Sequence, residues 1–326
     1  MAEAVSEPVL LHHFKFGPRD ITSVSFNPKE EKLVTTSSDG SLVLCHYTKQ
    51  DRVVKYTGHS KAIHDVSWSP TGSVFVTAST DQHVRLWSPK LCGKSRALHA
   101  HTSAVRTVNF DTTGKYFVTG SDDKSLKLWV TKDFTFIKSF LGHTNWLRCV
   151  RVASYDNLMG SCADDRMVKI WDLETGQCLH TFQQSKGLPR NLAWHPDTPM
   201  FAVALSNNTV KLFDIRTKEL IQYYKNHSEA VNSVAFHPNG KFMLSGSDDG
   251  TMKVSDLLEG RYILSLNPQT GPVKTVTFSP NGHLFASGGN NSDLLLWKSN
   301  LSDDVALADD DSFPSHAKEE VEDNED

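Results

Sequence analysis

Seven residues at one fixed spacing limit what this chain can fold into. Asp39, Asp81, Asp123, Asp165, Asn207, Asp249 and Asn291 fall 42 residues apart, with no insertion or deletion between them. A second register six places later keeps the same step: Cys45, Trp87, Trp129, Trp171, Phe213, Ser255 and Trp297. Self-similarity at a period of this size means one supersecondary unit repeated, so it fixes the architecture before any local reading.

Each copy reads as strands. The first run places apolar residues two apart, as in Val66 and Trp68, Val108 and Phe110, or Val276 and Phe278, which is the strand period. Turns marked SPTG, HPNG and SPNG follow it at residues 69–72, 237–240 and 279–282. A second run (VFVTAS, YFVTGS, FMLSGS) leads to Asp39-Gly40, Asn207-Asn208 or Asp249-Gly250, pairs that tolerate the positive φ of a two-residue hairpin. A third run (VRLW, LKLW, VKIW) follows. A fourth ends in Phe14, Tyr56, Leu98, Phe140, Phe182, Tyr224 or Leu266, again 42 apart.

Four short antiparallel strands in each of seven copies predict an all-β, seven-bladed propeller. One such sheet cannot bury both faces alone, but seven packed around an axis can. The seventh copy has no fourth run after Trp297, and Val9–Phe14 carries that run at the other end of the chain. This N-terminal strand is expected to pair within residues 284–298 and close the ring, which removes open sheet edges. Deleting residues 1–15 is then expected to unfold or oligomerise the chain. The expected organisation is a flexible N-terminus at 1–8, the propeller at 9–300 and an acidic, disordered tail at 301–326.

Charge supports that boundary. Net charge is −4, yet residues 301–326 hold eleven acids and one base. A like-charged segment with few apolar residues cannot bury enough surface to order itself. The other 300 residues carry +6, a mild excess that does not suggest a dedicated nucleic-acid binder. No run of 18 apolar residues and no basic-then-apolar leader occurs, so neither a membrane span nor a signal peptide is read. Cys45, Cys92, Cys149, Cys162 and Cys178 are odd in number and lack metal-type spacing, which suits a reducing compartment. No phosphate loop, HExxH or GxSxG segment is present, and no metal, cofactor or small-molecule substrate is expected.

The Gly-His pair, the Ser or Thr of the second run, the turn Asp and the Trp together resemble the WD40 repeat over residues 9–298. That resemblance implies a buried hydrogen-bonded tetrad in each blade. Blade 2 would use His59, Thr77, Asp81 and Trp87. Blade 3 would use His101, Thr119, Asp123 and Trp129, and blade 4 His143, Ser161, Asp165 and Trp171. Blade 6 has His227, Ser245 and Asp249 with Ser255 for Trp. Blade 7 has Gln269, Ser287, Asn291 and Trp297, and blade 1 Gly17, Thr35, Asp39 and Cys45. Blade 5 has none of the four types, with Ser185, Val203, Asn207 and Phe213, and is expected to be the softest. A Ser/His/Asp set could suggest a catalytic triad. A set recurring in fixed register serves every blade alike and is read as frame, so the chain is not expected to be an enzyme.

Function is then expected on a rim, through residues that vary while the frame stays fixed. The resemblance implies three rim positions per blade, lying three and five residues after the His position and just before the turn Asp. They read Asp20, Ala62, Ala104, Trp146, Leu188, Ala230 and Pro272; Thr22, His64, Arg106, Arg148, Arg190, Asn232 and Lys274; and Ser38, Thr80, Asp122, Asp164, Ser206, Asp248 and Asn290. The expected partner surface is Trp146, Arg148, Arg106, Arg190, Leu188, Lys274, Asp122 and Asp164, since Trp and Arg are enriched at interaction hot spots. The alternative is that Asp122, Asp164 and Asp248 pair with the arginines in a solvated ring of little energetic weight. Trp146→Ala and Arg148→Glu are expected to abolish partner binding without lowering stability.

Four segments, NWLRC at 145–149, RTKELIQYY at 216–224, SDLLEGR at 255–261 and LLLWKSN at 294–300, are similar to the centriole-proteome WD40 proteins of centrioles and basal bodies. That resemblance implies a non-enzymatic scaffold in cytoplasm and cytoskeleton that supports centriole and cilium assembly or stability. Its partners would be centriolar or microtubule-associated proteins, tubulin among them, with neither membrane nor nucleic acid involved. The family's C-terminal coiled coil has no counterpart among these residues. The competing reading is a WD40 subunit of a nuclear chromatin or RNA-processing complex that binds peptide tails.

Overall fold

The computed structural model describes residues 7–16, 19–48, 53–89, 94–267 and 271–301. Among them, twenty-eight strands, β1 to β28 in chain order, form seven four-stranded antiparallel sheets. Blade 4 shows the pattern: β14 (Leu147–Val152), β15 (Leu158–Ala163), β16 (Met167–Asp172) and β17 (Cys178–Gln183) follow one another from the axis outward. Blade 7 is β26 (Val273–Phe278), β27 (Leu284–Gly289) and β28 (Asp293–Lys298), completed by β1 (Val9–Lys15) from the N-terminus. Val9 stands opposite Lys298 and Lys15 opposite Asp293. The ring therefore closes as the repeat register requires. Residues 1–6 and the acidic tail from 302 onward lie outside the described residues.

The core lies between blades. Seven buried clusters occupy the seven interfaces, each drawn from two neighbours. Between blades 3 and 4, for example, Val118, Leu126, Leu128 and Phe140 meet Leu147, Val150, Met159 and Trp171. Both faces of each sheet are covered, so the inner strands bury consecutive residues instead of alternating strictly, as strands packed on two sides do.

Each innermost strand turns an unpaired edge to the axis, and its N–H groups need acceptors. Side chains 43 residues back in the chain supply them. Asp65 accepts the Val108 N–H (3.1 Å), Thr107 that of Val150 (3.1 Å), Asn109 that of Val152 (2.8 Å) and Ser233 that of Val276 (3.2 Å). One link spans further: Arg151 of blade 4 donates to Asp65 of blade 2 (2.8 Å), which also takes the hydroxyls of Thr107 (2.8 Å) and Ser23 (3.2 Å). The Arg151–Asp65 pair, with Asp65 buried and Arg151 half-buried, thereby links blades 1 to 4.

Two local features position the rim. The hairpin at each turn Asp has three loop residues, not two. Gly40 N–H bonds Ser37 C=O and Ser37 N–H bonds Ser41 C=O. Only the third residue has positive φ: Gly40, Gln82, Lys124, Arg166, Asn208, Gly250 and Ser292, from 61° to 83°. A type I turn followed by one left-handed residue gives that geometry. Second, every innermost strand carries a β-bulge, and the extra residue is Thr22, His64, Arg106, Arg148, Arg190, Asn232 or Lys274. A bulge re-aims its side chain, and six of the seven, all but Arg106, line one mouth of the channel.

Candidate functional site: the top mouth of the channel

The tetrads tie together the loops that carry the mouth. In blade 4, Trp171 indole N–H donates to Ser161 Oγ (2.8 Å), Ser161 bonds His143 Nε2 (2.8 Å), and His143 Nδ1 bonds Asp165 (2.7 Å). Asp165 also accepts the N–H groups of Thr144 (3.0 Å) and Met167 (2.9 Å), so it pins two loops. Blade 2 (His59, Thr77, Asp81, Trp87) and blade 3 (His101, Thr119, Asp123, Trp129) repeat these bonds within 2.7–3.0 Å. Blade 6 keeps the His227–Ser245 and His227–Asp249 bonds (2.8 and 3.0 Å). In blade 7 only the Trp297–Ser287 bond can be traced (3.4 Å), because Gln269 and the Asn291 side chain lie outside the description, as does Gly17 of blade 1.

Burial and hydrogen bonding set the protonation of the tetrads of blades 2, 3 and 6. Burial pushes the pKa of His59, His101 and His227 below the usual 6.5, against the pull of their carboxylates. Burial would raise the carboxyls of Asp81, Asp123, Asp165 and Asp249, but hydrogen bonds outweigh it and hold them below 3.8. A neutral imidazole between a hydroxyl and a carboxylate is thus fully used. Thr77, Thr119 and Ser161 have no exposed surface, so their hydroxyls face no substrate.

The three rim registers converge above these tetrads. In every blade the residue before the turn Asp bonds back to the first rim register, from Ser38 N–H to Asp20 C=O (3.1 Å) through Asp164 to Trp146 (2.9 Å) and Ser206 to Leu188 (2.9 Å). The mouth encloses about 470 Å³, lined by Asp20, His64, Arg148, Asp164, Leu188, Arg190, Ser206, Asn232 and Lys274 among others. Trp146 stands beside the opening, 47% exposed, with the Arg148 guanidinium 5.9 Å from its ring centre. Leu188, 36% exposed, lines the opening itself. Arg106 and Asp122, expected on this surface, do not line the opening: Arg106 lines the central channel and the Asp122 side chain is buried against it.

The arginines are paired. Arg106 grips Asp122 through Nε (3.0 Å) and Nη2 (2.7 Å) and reaches His64 (3.0 Å). Burial and the nearby Arg106 push the His64 pKa down to about 4. Arg148 holds Asp164 through Nε (2.8 Å) and Nη2, and these bonds raise the Arg148 pKa further. Arg190 crosses to blade 6 and bonds Asp248 (2.9 Å) and Asn232. Lys274 bonds the same Asp248 (2.8 Å). Two readings change. Arg148→Glu would set two carboxylates face to face, so unchanged stability is expected of Trp146→Ala only. Asn232 and His64, rim positions left out of the expected partner surface, line the mouth, and Asp248 pairs with Arg190 as the alternative reading of the rim holds. The Arg151–Asp65 pair was not legible at all, since it joins residues 86 apart on strands two blades removed.

Among the described residues, no group of three or more His, Cys, Asp or Glu could hold a metal, and no helix is long and apolar enough to cross a membrane. No curated protein matches the chain. The profile described as the WD domain, G-beta repeat, matches residues 8–45, 50–88, 92–130, 134–172, 218–256 and 260–298. The gap falls on blade 5, where the profile of the anaphase-promoting complex subunit 4 WD40 domain matches 184–231. With six repeats matched and the seventh blade in register, the chain belongs to the WD40-repeat family, whose propellers commonly bind proteins and are usually non-catalytic scaffolds.

Proposed function

We propose that this chain is a non-enzymatic interaction scaffold whose top mouth, with Trp146, Arg148, Leu188 and Arg190 at its edge, receives a protein partner. The observation that carries this reading is Trp146. It is a large aromatic side chain, half exposed, on a backbone locked by the blade 4 tetrad and by the Asp164–Trp146 bond. It has no core role, and a rigid amphipathic ring on a fixed rim is the residue type that anchors interfaces. The paired arginines add donors already oriented by their carboxylates.

The cellular setting we propose is the centriole and basal body, with partners among centriolar or microtubule-associated proteins. Its support is the likeness of the four segments at 145–149, 216–224, 255–261 and 294–300 to centriole-proteome WD40 proteins. Mixed basic and aromatic character suits acidic protein surfaces such as those of tubulin. Two experiments test the parts separately. Trp146→Ala should remove partner recovery by proximity labelling while the melting temperature stays within a degree or two. The tagged full chain should mark centrioles and basal bodies; a purely nuclear signal sinks the setting and favours the nuclear peptide-tail reading.

A further inference from the structure

The charges at the mouth are not distributed evenly. Asp122 serves Arg106 alone among the rim cations, and Asp164 serves Arg148 alone, each pair gripped through two nitrogens. Asp248 is shared. Its Oδ2 accepts Arg190 Nη1 (2.9 Å), and its Oδ1 accepts Lys274 Nζ (2.8 Å) and Asn232 Nδ2 (2.8 Å). Two cations on one carboxylate leave one positive charge uncompensated where blades 5, 6 and 7 meet. The guanidinium of Arg190 uses only Nη1 for bonds among the described residues. Arg190 and Lys274 keep side-chain exposures of 38% and 37%, against 21% for Asp248. Arg190 and Lys274 line the opening and Asp248 does not.

From this asymmetry we infer that the Arg190–Asn232–Lys274 corner is a seat for a single carboxylate of a partner protein, with Leu188 beside it for an adjacent apolar side chain. The inference rests on the mouth being the partner site. Charge complementarity selects the group: a carboxylate set against the free Arg190 edge and the Lys274 ammonium completes a two-cation, two-anion arrangement. Charge-assisted bonds from a fixed guanidinium are short, strong and directional. Asp20 limits the guest. It lines the same cavity on the blade 1 side and repels a second carboxylate, so the seat takes one acidic residue next to a bulky apolar one, not a run of acids. Leu188 supplies the apolar wall, and it lies two residues before Arg190 on the same strand entry.

The test is a backbone-amide NMR titration of the full chain with acetyl-Leu-Glu-amide and its neutral twin acetyl-Leu-Gln-amide. The expected result is saturable shifts at Leu188, Arg190, Asn232 and Lys274 with the Glu peptide. The Gln twin should bind at least tenfold more weakly, and Lys274→Gln should cost the Glu peptide a similar factor. Arg190→Gln, checked by its melting temperature, gives a second route to the same loss. Equal affinity for the two peptides overturns the seat; if their shifts still fall at Trp146 and Leu188, the mouth stands as partner site without it. Shifts confined to the opposite face overturn both. If the Glu peptide binds only after the acids of residues 302–326 are changed to Asn and Gln, the chain's own tail is the occupant and the partner assignment falls.

Discussion

Blades 4 and 5 are neighbours of the same length and topology that solve one problem in opposite ways. Blade 4 fills the space between its loops with four hydrogen-bonded groups, Trp171, Ser161, His143 and Asp165. Blade 5 fills it with hydrocarbon. Phe213 replaces Trp, Val203 replaces Ser, and Phe213 packs 4.9 Å from Phe182 and 5.3 Å from Phe201. Among the described residues, Asn207, in the turn position, accepts only the Thr209 hydroxyl (2.8 Å). The loop that would have carried the His is tethered instead by Lys211 to Gln184 (3.0 Å) and by the Leu188 N–H to Ser206 (2.7 Å). A buried polar network is stable when every member is satisfied, and so is an apolar filling, whereas a partial network is worse than either.

Half-measures should therefore cost most. Asp165→Ala strips His143 and two backbone N–H groups of their acceptor, and should destabilise by about 3 kcal/mol in urea unfolding. Converting blade 4 to the blade 5 set, with His143→Ser, Ser161→Val, Asp165→Asn and Trp171→Phe together, should cost less than Asp165→Ala alone. If the fourfold variant is the less stable of the two, a complete apolar filling is no better than a broken network. The reciprocal intrusion is smaller: Val203→Ser puts one unpartnered hydroxyl into the blade 5 core, at about 2 kcal/mol. A loss below about 0.5 kcal/mol would mean that blade 5 holds a polar partner for it.

The comparison also explains what the sequence could reveal. The blades, the ring closure by β1 and the tetrads of blades 2 to 4 follow from residues at fixed offsets, because each bond joins positions 10, 18 or 22 apart inside one repeat. Rim membership follows for the same reason, as one bulge recurs at every innermost strand. What could not be read joins different copies. The shared use of Asp248 by Arg190 and Lys274, and the Arg151–Asp65 link, depend on side-chain reach across blades. The hairpin length escaped notice because Asp-Gly fits both a two-residue loop and a turn with a left-handed third residue. In blade 5 the sequence showed Val203 and Phe213 in place of the polar types, but not that Phe213 would pack on Phe182 of blade 4 as well as on Phe201.

Acid should separate the two solutions without any mutation. His59, His101 and His227 have folded-state pKa values below the ordinary 6.5. The unfolded chain then takes up protons that the folded one refuses as pH drops below 6.5, so stability falls with acidification. The carboxyls of Asp81, Asp123 and Asp249, held below 3.8, add a second loss only as pH falls through that range. Blade 5 has no tetrad histidine. Its β19 amides (Met200–Leu205) should exchange faster than those of β15 at pH 7, and the gap to blades 2, 3 and 6 should narrow by pH 5. Equal exchange in blades 4 and 5 at pH 7 would show that the aromatic filling is as firm as the tetrad.

The smallest effect belongs at the rim, where the two blades should stop differing. Trp146 and Leu188 occupy the same register position in blades 4 and 5, and each is held through its backbone carbonyl by the residue before the turn, Asp164 or Ser206. Their side chains contribute to neither filling. Trp146→Ala and Leu188→Ala should therefore each shift unfolding by less than about 0.5 kcal/mol, while Trp171→Ala, 2% exposed in the blade 4 core, should cost about 3–5 kcal/mol. A Trp146→Ala loss approaching that of Trp171→Ala would assign the exposed ring to the frame, through its contact with Arg148 and the Asp164 pair. Rim and frame would then no longer be separable in blade 4, and any loss of binding in that variant would have a structural cause.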